Sequence, residues 1–204
     1  MKSYYHNRNI EINKENFLYV HSYKKQLLNS LAQLFFDLNI KYVISHGNLI
    51  EFERNKDIKG DDDIDIRFDK NDILKWKHFC DSGDFKKYNL ELIVHSIFKK
   101  NFYSCCVKLI EFQDNIETFK NINIFCDIVI NIIPKSACGM ILSQTWINYD
   151  IDFNNIRKIK YLNTSTYAPS KEDTIRLLTK EYGSDYLIPI TKYNIFPFFM
   201  IKNK

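Results

Sequence analysis

The stretch Ile44–Phe68, ISHGNLIEFERNKDIKGDDDIDIRF, decides how this chain is read. Three consecutive aspartates, Asp61, Asp62 and Asp63, are followed by a fourth at Asp65 and run straight into an apolar β-pattern. Adjacent carboxylates repel one another, so such a run calls for a compensating cation. Residues two apart in a strand share a face. Asp63 and Asp65 therefore point one way, and Ile64, Ile66 and Phe68 point into the core. Two carboxylates about 6.5–7 Å apart along a strand can hold hard cations between them. A pair of such ions ~3.5–4 Å apart can activate an attacking oxygen and stabilise a leaving one. A calcium-binding EF-hand is excluded, because the run lacks the D-x-D-x-D-G spacing and the distal glutamate. Asp61 and Asp62 are expected to position the loop.

A metal site of this kind needs a third carboxylate from a neighbouring strand. Asp127 is the candidate, standing alone in the apolar run INIFCDIVINII (122–133). A lone aspartate in a buried strand is costly unless paired, hydrogen-bonded or metal-bound. Upstream of the acidic run, Ser45-His46-Gly47-Asn48 follows a short β-like run (41–45) and opens a possible helix. A glycine at that place lets backbone amides approach a phosphate, and a helix N-terminus favours an anion. Arg54 can clamp a phosphate in bidentate fashion, or form an ion pair with Glu51 or Glu53.

Working outward, residues 14–38 form an expected helix, with Leu27, Leu28, Leu31, Leu34, Phe35 and Leu38 on one face. A helix over 69–80 is expected to start at Asp69 as N-cap. Strands are expected over 64–68, 90–98, 102–112 and 122–133, and a hairpin or extended segment over 156–168. A last helix over 169–183 should be capped by Ser170 and ended by Gly183. This order predicts an α+β fold, a mixed β-sheet flanked by helices.

The chain has 204 residues, which fits one domain, 1–204. With 45% hydrophobic residues and only five glycines and four prolines, collagenous and low-complexity readings are excluded. The net charge of +4 comes without a dense basic block, so no nucleic-acid partner is expected. Five cysteines without a C-x-x-C pair argue against a zinc site or a disulfide framework. The N-terminal residues lack a continuous apolar run, and the apolar tail (187–204) is broken by Pro189, Lys192, Asn194 and Pro197. No transmembrane segment is expected, and a cytosolic location is the expectation.

A strand, a glycine turn, D-h-D on a second strand (h, hydrophobic) and a lone Asp on a third resemble the nucleotidyltransferase fold. Within it, the chain resembles the LicD/fukutin-related phosphotransferase family. That family carries a pattern close to G-T-L-L-G, a following Arg, and P-W-D-D-D-I-D-I. Gly47, Leu49, Arg54, Asp61, Asp62, Asp63, Ile64, Asp65 and Ile66 match it. The family's closing helix runs into Y-G-x-D-W and a proline, and YGSDYLIP matches at Tyr182, Gly183, Asp185 and Pro189. The resemblance spans roughly 25–190. Asn48 stands where the family has a small hydroxyl residue, Glu51 stands for a glycine, and Lys59-Gly60 stand for Pro-Trp. Glu51 is expected to add negative charge close to the phosphates.

The resemblance implies a metal-dependent transferase moving a phospho-alcohol from a CDP-activated donor, such as CDP-choline or CDP-ribitol, onto a glycan hydroxyl, with CMP leaving. Asp63, Asp65 and Asp127 would hold Mg²⁺ or Mn²⁺, and Asp127 would help deprotonate the acceptor. Gly47, Asn48 and Arg54 would contact the donor phosphates. The alternatives are transfer of a nucleoside monophosphate to RNA, protein or a small alcohol, and a non-catalytic protein that binds a nucleotide or a partner.

Overall fold

The computed structural model describes residues 14–54, 63–98, 102–112, 126–131 and 151–188, with the side chains of 14–17, 70, 94–98, 102–105 and 126–131 outside that description. The fold is α+β. Its elements are α1 (Lys14–Asp37), β1 (Tyr42–Ile44), α2 (His46–Arg54), β2 (Ile64–Asp69), α3 (Ile73–Ser82), β3 (Leu90–Phe98), β4 (Phe102–Leu109), β5 (Cys126–Asn131), β6 (Arg157–Tyr161), β7 (Thr164–Ala168) and α4 (Lys171–Tyr182). Five strands form one mixed sheet in the order β1-β2-β5-β4-β3, and β6-β7 is a separate hairpin. Within the large sheet β2 and β5 run parallel, whereas the other neighbouring pairs are antiparallel. Among the described residues no helix is long and apolar enough to cross a membrane.

The helical period puts Leu27, Leu28, Leu31, Leu34 and Phe35 of α1 in the core, all fully buried. Each such side chain contributes roughly 1.5–3 kcal/mol by leaving water. Strand β2 is buried on both faces, as a strand inside a covered sheet must be. On its apolar face, Phe68 meets Phe35 and Trp76 at ring-centroid distances of 6.1 and 5.8 Å, so α1 and α3 cover that side. The opposite face carries Asp65 and Arg67.

Two boundaries differ from expectation: β4 ends at Leu109 rather than at residue 112, and the helix after β2 starts later. Asp69 does not cap a helix: its carboxylate accepts from the Asn71 backbone amide at 3.0 Å, starting a single 3-10 turn over Lys70–Asp72. Helix α3 then begins at Ile73. This short turn uses the local capping chemistry first. The expected extension of β5 over 122–125 and 132–133 lies outside the described residues.

The β6-β7 hairpin closes on Leu162 and Asn163, both with positive φ (50° and 59°), as a two-residue hairpin turn requires. It packs beside β1, where the Thr166 hydroxyl donates to the Tyr42 hydroxyl at 3.1 Å. Helix α4 starts as expected: the Ser170 hydroxyl accepts from the Asp173 amide at 3.0 Å, and Gly183 ends it at φ 91°. Replacing Ser170 by Ala is expected to cost about 1 kcal/mol. For a chain of this size that is a melting shift of roughly 2–4 °C. A thermal melt that does not move shows the cap to be idle.

Candidate active site

The acidic face of β2 is held by the segment that precedes it. Strand β1 ends beside Asp65, where the Ser45 amide donates to the Asp65 carbonyl at 3.0 Å. The chain then turns into α2 at His46, whose φ is +44°. The left-handed residue of this turn is therefore His46. Gly47 lies in the first helical turn, where backbone amides lack intrahelical partners and favour an anion.

Asn48, fully buried, brackets the acidic strand. Its Nδ2 donates to the Asp63 carbonyl at 3.0 Å, and its Oδ1 accepts from the Asp65 amide at 2.6 Å. Both ends of the amide are thus engaged with backbone, one on each side of Ile64. This side chain, expected beside the donor phosphates, instead fixes the strand that carries the two carboxylates. Asp63 and Asp65 are themselves 8% and 9% exposed, so their charges sit nearly out of water.

The parallel register of β2 and β5 sets Asp65 against Asp127, and Ile64 and Ile66 against Cys126 and Ile128. Neighbouring strands lie about 4.8 Å apart, so residues 63, 65 and 127 form a compact triangle on the backbone. The side chain of Asp127 lies outside the described ones, as do Asp61 and Asp62 altogether. Among the described residues no three His, Cys, Asp or Glu side chains group around a possible ion. On the other side of Asp65, the Ser45 hydroxyl is buried and has no hydrogen-bond partner among the described residues.

Arg54 is placed differently from its expected phosphate contact. Its Nε donates to the Tyr186 carbonyl at 2.6 Å and its Nη2 to the Ile188 carbonyl at 3.3 Å. Partial burial lowers its pKa from the usual guanidinium value, opposed by Tyr182. The guanidinium therefore ties the end of α2 to the segment after α4, joining two blocks more than a hundred residues apart in sequence. Neither expected ion-pair partner is used: Glu53 pairs with Arg157 at 2.7 Å, and Glu51 lies 3.4 Å from Lys24. Glu51 also accepts from the Tyr161 hydroxyl at 2.7 Å. Its charge is thus neutralised inside the core between α1, α2 and β6. Exchanging Arg54 for Met is expected to cost about 1–2 kcal/mol through the lost tie. Donor affinity should stay within about twofold, because the guanidinium is committed elsewhere; a donor KM raised tenfold in a calorimetrically normal protein counts against this placement.

Three residues that the sequence did not single out complete the surroundings. Arg67 follows Asp65 on the same face and is 2% exposed. Its Nη2 donates to Glu181 Oε1 of α4 at 3.2 Å and contacts His46 Nε2. His46 Nδ1 lies 3.2 Å from the same Glu181 oxygen. The available signal was the alternation Asp63, Asp65, Arg67, in which a cation continues the polar face of a buried strand.

No family model matches the chain, and no curated protein matches it. Among solved structures the chain is similar to the lincosamide antibiotic adenylyltransferase LnuA with lincomycin bound, at 16% identity and a TM-score of 0.44, over 80% of this chain and 95% of that one.

Proposed function

We propose that this chain is a metal-dependent transferase that moves a phosphorus-containing group from a nucleotide-activated donor onto a hydroxyl. The observation that carries this reading is the register of Asp65 against Asp127 on parallel strands, with Asp63 two residues earlier and the N-terminus of α2 alongside.

The residues fit a hard divalent cation. Carboxylate oxygens are the donors that Mg²⁺ and Mn²⁺ prefer. Asn48 holds the backbone that carries two of them, and the Ser45 hydroxyl, without a partner among the described residues, is a buried polar atom that a bound group would satisfy. When bound, such an ion supplies charge stabilisation at the phosphorus and eases deprotonation of the acceptor. The chain does the rest. Asp63 and Asp65 fix the ion's place, the first-turn amides of α2 hold phosphate oxygens, and Asp127 takes the acceptor proton. The acceptor oxygen then bonds to phosphorus as the bond to the leaving group breaks. Most of the acceleration comes from positioning and preorganised charge.

Two forms of this reaction use the same carboxylates. In nucleotidyl transfer the acceptor, an RNA, a protein or a small alcohol, attacks the α-phosphorus and pyrophosphate leaves. In phospho-alcohol transfer a glycan hydroxyl attacks the phosphorus bearing the alcohol of a CDP-activated donor and CMP leaves. The first form shares its chemistry with an adenylyltransferase. The second is supported by the two residue blocks that resemble the LicD-type family, which Arg54 ties together.

The deciding experiment incubates the protein with nucleoside triphosphates and with CDP-alcohols, with Mg²⁺ or Mn²⁺, and assays pyrophosphate and CMP. Pyrophosphate assigns the first form and CMP the second, and chelation should abolish either. No product from any donor, together with no nucleotide or metal binding by calorimetry, overturns the proposal and leaves the non-catalytic reading.

A further inference from the structure

We infer that Glu181, acting through Arg67 and His46, is a positioning residue that sets the donor-binding turn against the acidic strand. The inference rests on the proposed role of that turn. Strand β2 presents Asp63, Asp65 and Arg67 in alternate positions, so the guanidinium stands next in line after the carboxylates. A buried guanidinium requires a counter-charge, and Glu181 from the last turn of α4 supplies it at 3.2 Å.

The chemistry of the contacts fixes the histidine. An arginine can only donate, so His46 Nε2 must accept from Arg67 Nη2. The ring proton is then on Nδ1, where Glu181 Oε1 accepts it at 3.2 Å. One carboxylate oxygen thereby orients both the arginine and the imidazole, and holds the ring as a single tautomer. His46 is also the residue whose backbone takes φ +44°, a conformation that non-glycine residues hold only when surrounding contacts impose it. The two residues after it are Gly47, in the first turn of α2, and Asn48, which brackets Asp63 and Asp65. The left-handed turn, the cation of β2 and the end of α4 therefore meet at one oxygen atom.

The test uses Glu181→Gln, which keeps size and an acceptor oxygen, and His46→Asn, which tolerates positive φ but removes the ring. Each is expected to raise the donor KM about 10-fold or more, with kcat changing less, since mispositioned supports commonly cost 10- to 100-fold. The double variant should be no worse than the more affected single one, because both act along one path. A purely structural ion pair would lower the melting temperature and leave KM and kcat within about twofold, and that result overturns the inference. Should Glu181→Gln fail to fold, His46→Asn carries the test. If the wild type turns over no donor, the functional reading fails by itself. Hydrogen exchange at the amides of 46–49 then decides: faster exchange in folded His46→Asn supports the positioning role, and unchanged exchange overturns it.

Discussion

Asp65→Ala is expected to lower turnover by on the order of 10³-fold or more while leaving the fold in place. Three backbone contacts fix position 65: the amide donates to Asn48, the carbonyl accepts from Ser45, and the register faces Asp127. An alanine keeps all three. It also removes a nearly buried carboxylate from a crowded acidic face, so the melting temperature should hold or rise. Metal-dependent product formation and a thermal scan on the same preparation provide the check. Full activity in the variant sinks the metal-site reading, and activity lost only in step with unfolding reduces Asp65 to a structural residue.

Asn48→Ala carries the largest expected change in stability. The deletion leaves the Asp63 carbonyl and the Asp65 amide without their shared partner, in a place without solvent. Each orphaned buried group costs about 1–3 kcal/mol, so the sum is roughly 2–6 kcal/mol. For a chain of this length the melting midpoint should fall by about 4–24 °C. Asn48→Asp is informative beside it. A carboxylate can still accept from the Asp65 amide but cannot donate to the Asp63 carbonyl, and it adds a further negative charge to the cluster. It should be at least as damaging as alanine. A phosphate-contact role for Asn48 predicts the reverse pattern, with normal melting and a raised donor KM.

Much of the fold could be read locally. The five-residue apolar face of α1 follows from period 3.6, the opposite orientation of Asp65 and Ile66 from period 2, and the bounds of α4 from Ser170 and Gly183. These signals lie within a few residues of the structure they specify. Even there, the start of α3 moved from Asp69 to Ile73, because the Asp69 carboxylate accepts from the amide two residues on and closes a tighter turn first. The arrangement around the site was less legible, since its partners are remote in sequence. Arg54 reads as a phosphate clamp until the carbonyls of Tyr186 and Ile188 are seen beside it. Glu51 reads as a charge facing the phosphates until Lys24 and Tyr161 close over it. His46 reads as an ordinary turn residue, because nothing local announces that Arg67 and Glu181 will hold its ring. Buried polar groups are matched across space, and one sequence displays the groups without the matching.

The parallel pairing of β2 with β5 also has a kinetic meaning. It joins segments about 60 residues apart, and such closures come late because chain entropy must be lost before the contact forms. During synthesis, Asp63 and Asp65 emerge well before Asp127, and the residues that satisfy Arg54 and Arg67 emerge later still. A ribosome-bound chain stopped before β5 would carry an acidic edge open to any strand or cation. The order of emergence thus leaves the edge next to the two carboxylates exposed for much of the chain's synthesis, and the arrival of β5 converts it from a hazard for association into the centre of the sheet.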